Sequence, residues 1–65
     1  MSICATITID DDRWAKRPFG VKFDDDECNR QFGRMGLTKI RYAYDCIENA
    51  KNAGYDIDEV REVHF

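Results

Sequence analysis

Sixty-five residues carrying 13 acidic and 10 basic side chains, with a formal charge of −3, make one small domain and exclude a second. An apolar fraction of 43% with a 12% aromatic share excludes a disordered chain. No apolar run approaches the roughly 20 residues of a membrane-spanning helix, and the N-terminal MSICATITIDDD lacks a basic leader, so the expectation is a soluble, unprocessed, cytoplasmic protein with no membrane partner.

From the N-terminus, residues 3–10 alternate: Ile3, Ala5, Ile7 and Ile9 on one face, Cys4, Thr6, Thr8 and Asp10 on the other. Period two with β-branched residues predicts a half-buried strand, which the run Asp10, Asp11, Asp12 ends. Pro18 opens a second strand in which Phe19, Val21 and Phe23 share a face. The two strands form an antiparallel hairpin across an unusually long connection, DDDRWAKRP, and Trp14 is placed either in that loop or at the head of the second strand.

Asp24 with Glu27 matches a capping pattern, and Phe23 can staple onto Cys28, so a short helix is expected over 25–32, bracketed by Gly33 and Gly36. The stretch FGRMG then reads as a turn into the main helix, Leu37 to Gly54. There Ile40, Ala43, Tyr44, Ile47 and Ala50 line one side, with Thr38 as N-cap and Gly54 as the left-handed terminator. The ending YDIDEVREVHF mixes two signals and is read as one helical turn at 57–59 before a last strand from about Val60, with Val63 and Phe65 on one face. The expected fold is α+β, a single domain in the order β-β-α-α-β. Its sheet is three-stranded and mainly antiparallel, order 2-1-3, with one long helix packed on one face. The alternative is a right-handed crossover that sets the last strand parallel to the second.

The three cysteines, Cys4, Cys28 and Cys46, are an odd number with no C-x-x-C spacing and a single histidine, His64. Neither a disulfide framework nor a structural zinc site fits, and the thiols read as core-filling residues of a reducing compartment. The aspartate triplets lack the D-x-D-x-D-G spacing of a calcium loop, so no metal or other cofactor is expected. Ser2 is the only serine, no phosphate-cradling glycine loop appears, G-R-M-G between Gly33 and Gly36 resembles the G-x-x-G of an RNA-binding KH loop in letters alone, and no catalytic set is present. The protein is therefore read as a binding module, not an enzyme.

Charge alternates in blocks: Asp10–Asp12 is acidic, Arg13–Lys22 basic, Asp24–Glu27 acidic, Arg30–Arg41 basic, and everything after Tyr44 predominantly acidic. Mutual neutralisation of neighbouring blocks is one outcome; separate charged surfaces are the other. In the second case Asp11, Asp12, Asp25, Asp26, Asp45 and Glu48 present carboxylates that imitate phosphates toward a partner protein with a basic surface. Tyr42 and Trp14 supply the aromatic anchors of that contact, and Arg41 belongs to the same partner-facing surface. The leading expectation is thus a small protein-binding inhibitor or regulator, monomeric or homodimeric, of the character of anti-CRISPR or anti-restriction proteins made by phages and mobile elements. The alternative is a nucleic-acid-binding regulatory domain in which Trp14 stacks on a base while Arg13, Lys16 and Arg17 neutralise phosphates. Against it stands the acidic pI of about 4.9.

Overall fold

The computed structural model of the chain describes residues 2–64. The elements are β1 (Ile3–Ile9), β2 (Phe19–Phe23), α1 (Asp26–Phe32), β3 (Arg34–Leu37), α2 (Ile40–Asn52) and β4 (Ile57–His64). They form a small α+β domain whose four strands make one mixed sheet in the order β3-β2-β1-β4. β1 and β2 pair antiparallel as expected, with Ile7 opposite Val21 and Ile9 opposite Phe19.

The expected three-stranded sheet is corrected by a strand the sequence disguised. Arg34–Leu37, of which Arg34–Gly36 reads as the end of the turn FGRMG and Leu37 as the start of the main helix, pairs antiparallel with β2, Leu37 opposite Phe19 and Arg34 opposite Val21. Three residue steps in β3 oppose two in β2, so β3 carries a bulge, and Gly36 sits in it at φ +72°, a conformation open to glycine and costly for most residues. This strand reverses the direction of all that follows. Antiparallel to β2, it runs the same way as β1; α2 then carries the chain back, and β4 must run parallel to its neighbour. β4 does pair beside β1 throughout its length, parallel and not antiparallel. The last strand lies beside the first, as the order 2-1-3 expects, but parallel to it instead of antiparallel, and the alternative crossover beside the second strand is overturned. β4 is also extended from Ile57, so the helical turn expected at 57–59 is absent; Asp58 is the extra residue of a second irregularity between Ile57 and Glu59. The expected place of Phe65 lies outside the described residues.

The core lies between one sheet face and two helices, not one. Ile3, Ala5, Ile7, Ile9, Val21, Phe23 and Ile57 from the sheet meet Cys28 of α1 and Ala43, Ile47 and Ala50 of α2 in a single cluster. Alternation in β1 explains its share, and the i, i+4, i+7 spacing of Ala43, Ile47 and Ala50 explains that of α2. Tyr44 departs from the expected inward face: it is 43% exposed, at the margin of the stripe. Helix ends also differ in detail. Asp25, not Asp24, caps α1, its carboxylate accepting from the Cys28 amide at 2.9 Å. The N-cap of α2 is Lys39, without a side-chain capping bond, so Thr38 does not serve there. Gly54 terminates α2 at φ +101°, as its position predicts.

Candidate functional site

Topology sorts the charged blocks toward the two ends of the sheet. β1 ends where the long loop begins, and β2 ends beside the start of β1, so the two aspartate triplets lie at opposite ends of the strands. The expected partner-binding residues therefore do not form one patch. Asp11, Asp12 and Trp14 lie at the loop end, Asp25 and Asp26 at the other, and Arg41, Tyr42, Asp45 and Glu48 on the outer surface of α2, which runs from the first end toward the second.

At the loop end, two of the three aspartates fold the loop. Asp10 accepts from the Asp12 amide at 3.0 Å, and Asp12 accepts from the Trp14 amide at 2.9 Å, two successive Asx turns. Asp11 faces out and meets His64 Nδ1 at 2.9 Å, linking the loop to the last residue of β4; the carboxylate partner requires that nitrogen to carry the proton. The turns project Trp14 away from the body, where it is 78% exposed, with the Arg13 guanidinium 5.2 Å from its ring centre. Packing in the core, the usual fate of a lone tryptophan, and extension of β2 are both excluded for it. Lys16 and Arg17 are exposed in the same loop, and the Arg17 stem lies beside Gly36.

A second exposed cation and ring occur on α2, where the Arg41 guanidinium sits 5.5 Å from the Tyr42 ring centre. Asp45 lies one turn on from Arg41, and Glu48 one turn further; all are exposed. This surface opposes the buried Ala43, Ile47 and Ala50 because a helix packed by one stripe on a sheet leaves the remainder to solvent.

The other end collects acids from two parts of the chain. Asp24, Asp25, Asp26 and Glu27 follow β2, while Asp56 and Asp58 flank the start of β4, tied to the same end by the Ile3 amide donating to the Asp56 carbonyl at 2.7 Å. Not all are free to meet a partner. Asp24 accepts from the Cys4 amide at 3.0 Å and Asp25 caps α1; Asp26 and Glu27 project into solvent. The negative field registers on its neighbours. The Tyr55 hydroxyl titrates above its ordinary value, through desolvation first and then through Glu27, Cys28 and Asp25, against a hydrogen bond from Gln31. The Cys28 thiol is raised by burial and further by Asp25 and Asp24. Among the described residues the ion pairs are Arg61–Glu59 and His64–Asp11, so Asp26, Glu27, Asp45 and Glu48 hold no salt bridge there.

The surface is otherwise shallow. A groove of about 330 Å³ lies between α1, β2 and β3, lined by Val21, Lys22, Asn29, Gly33, Arg34 and Met35, and it brings together no acid, base or nucleophile set. Among the described residues no three His, Cys, Asp or Glu side chains converge to hold a metal ion, and no helix is long and apolar enough to cross a membrane. Sequence reasoning missed three features of the surface: the Asp11–His64 link, the acidic contribution of Asp56 and Asp58, and the exposed outer strand. All join residues more than 20 positions apart or depend on strand order, for which no local signal exists. Comparison of the chain with protein-family models, with curated proteins and with solved structures finds no match in any of the three.

Proposed function

We propose that this protein is a protein-binding module that acts by covering a basic surface of its partner, with no chemistry of its own. The observation that carries the reading is the outer surface of α2, where Arg41 and Tyr42 form an exposed cation–ring anchor and Asp45 and Glu48 follow at one-turn intervals without salt bridges among the described residues. Carboxylates on successive turns of a rigid helix offer a row of acceptors to arginines, and a row on a helix loses little entropy on binding. Asp26 and Glu27, at the end toward which α2 runs, extend the acidic area. Such a surface suits an inhibitor of a nucleic-acid-handling protein, the role of anti-CRISPR and anti-restriction proteins. Affinity capture with the intact protein tests it: one basic partner should be recovered, and recovery should be lost when Asp45→Asn and Glu48→Gln are combined.

A second reading rests on Trp14, whose exposed ring and stacked Arg13 suit base stacking with phosphate neutralisation by Lys16 and Arg17. Its test is a salt titration of binding to single- and double-stranded nucleic acid. Steeply salt-dependent binding lost on substitution of Arg13, Lys16 and Arg17 overturns the first reading.

A further inference from the structure

β4 leaves one long edge of the sheet uncovered. Seven of its eight residues are exposed, Val60 and Val63 among them at 40% and 42%. The helices pack toward the middle of the sheet and its β3 side, and β4 is the terminal strand, so alternate N–H and C=O groups along its outer side lack a strand partner. Such an edge accepts one kind of occupant, a further strand.

We propose that the occupant is β4 of a second copy of this chain, paired antiparallel about a two-fold axis at Val60, so that two four-stranded sheets become one continuous sheet. The argument is charge complementarity within the strand itself. A two-fold axis perpendicular to a continuous sheet sets one residue against its own copy and fixes every other pair. With Asp58, Glu59, Arg61 or Glu62 at the axis, like charges meet. With Val63 there, only residues 62–64 overlap among those described. With Ile57 there, Asp56 meets Asp58, and with His64 there, only His64 overlaps among those described, so Val60 is the remaining centre. In its register Glu59 faces Arg61 of the second copy and Arg61 faces Glu59 of the second copy.

Within one chain Arg61 Nε and Glu59 Oε1 already lie 3.1 Å apart on the open face of the sheet, each more than half exposed. The two-fold axis therefore closes a ring of four alternating charges, each arginine between two carboxylates. Val60 meets its own copy on the other face, while Ile57, turned into the core before the irregularity at Asp58, takes no part in the pairing. One like-charged pair remains, Glu62 against Asp58 of the second copy. It is relieved because the Glu62 carboxylate turns inward to accept from the Tyr44 hydroxyl and Asp58 lies at the strand irregularity.

Single-strand pairing buries less than a standard interface, so the dimer is concentration-dependent and is read by sedimentation equilibrium over a wide concentration range. The wild-type chain should pass from its 7.6 kDa monomer mass to twice that value. Glu59→Arg alone and Arg61→Glu alone should each stay monomeric, because each sets like charges against one another. An equimolar mixture of the two should dimerise again, since one chain then offers two cations and the other two anions at the four positions. Val60→Lys, which sets two cations at the axis, should also abolish the dimer, with circular dichroism showing each variant folded. A wild-type chain that stays monomeric at every concentration, variants that dimerise as it does, or a mixture that fails to associate overturns the proposal.

Discussion

The Tyr44 hydroxyl donates to Glu62 Oε1, and among the described residues this is the side-chain hydrogen bond that ties α2 to the exposed strand β4. The contact explains why a large aromatic on the margin of the apolar stripe remains 43% exposed: its ring leans over the edge of the core and its hydroxyl reaches the outermost strand. Loss of the hydroxyl in Tyr44→Phe should cost about 0.5–1 kcal/mol at this exposed site, with retention of fold, as measured by urea unfolding.

The same bond sets an alkaline limit. Its donation to Glu62 holds the Tyr44 proton, with burial and the Glu62 charge acting in the same sense, so the folded-state pKa lies above the ordinary 10.0. A raised pKa gives stability that is whole below the unfolded value and is lost as pH rises through the folded one. Tyr55 shifts in the same direction. Unfolding midpoints should therefore fall above about pH 10, and fall less in Tyr44→Phe than in the wild type.

α2 begins without a side-chain cap: Lys39 occupies the N-cap in extended conformation, and the first turn holds no acid. Lys39→Asp supplies an acceptor for an orphan amide and a negative charge at the positive end of the helix. It should stabilise the protein by about 1 kcal/mol, read as an increase in the unfolding midpoint at constant denaturant slope.

The acids following β2 divide into structural and free members. Asp25→Ala removes the bond to the Cys28 amide and should cost about 1 kcal/mol. Asp26→Asn should change stability by less than about 0.5 kcal/mol, since its side chain makes no hydrogen bond among the described residues. A loss of partner capture in Asp26→Asn is then a binding effect, whereas one in Asp25→Ala is not separable from folding.

The thiols should respond in order of burial. Cys28 is fully buried and its pKa is raised, chiefly by desolvation; Cys46 is half-buried and also raised by burial, with Arg34 opposing and Asp45 adding. In the native protein at neutral pH, alkylation monitored by mass should leave Cys28 unmodified until denaturant is added. Trp14 offers a parallel check: Trp14→Ala should leave stability within about 0.5 kcal/mol, because the residue is already 78% exposed.

Much of this architecture was legible locally. The alternation of Ile3, Ala5, Ile7 and Ile9, the stripe of Ala43, Ile47 and Ala50, and Gly54 after the last helical turn each announced an element, because their signals repeat at the period of the structure they build. Arg34–Leu37 did not. Four residues with a bulge glycine cannot show a period, and the strand exists because β2 offers a ladder to pair with. The candidate surface was legible in the same measure: Asp45 and Glu48 followed from helix period, whereas Trp14's exposure depended on the Asp10 and Asp12 turns.

By itself, then, the sequence determined the first hairpin, both helices, the apolar stripe and the identity of every charge available to a surface. Only the tertiary structure decided where those charges meet: Asp11 on His64, Asp56 near Asp24, Glu62 under Tyr44, and the two triplets at opposite ends. The physical reason is that side-chain period is a property of neighbouring residues, while strand order and direction depend on pairings across the chain. One short unheralded strand was enough to turn β4 from antiparallel to parallel and to leave it as the exposed edge of the sheet.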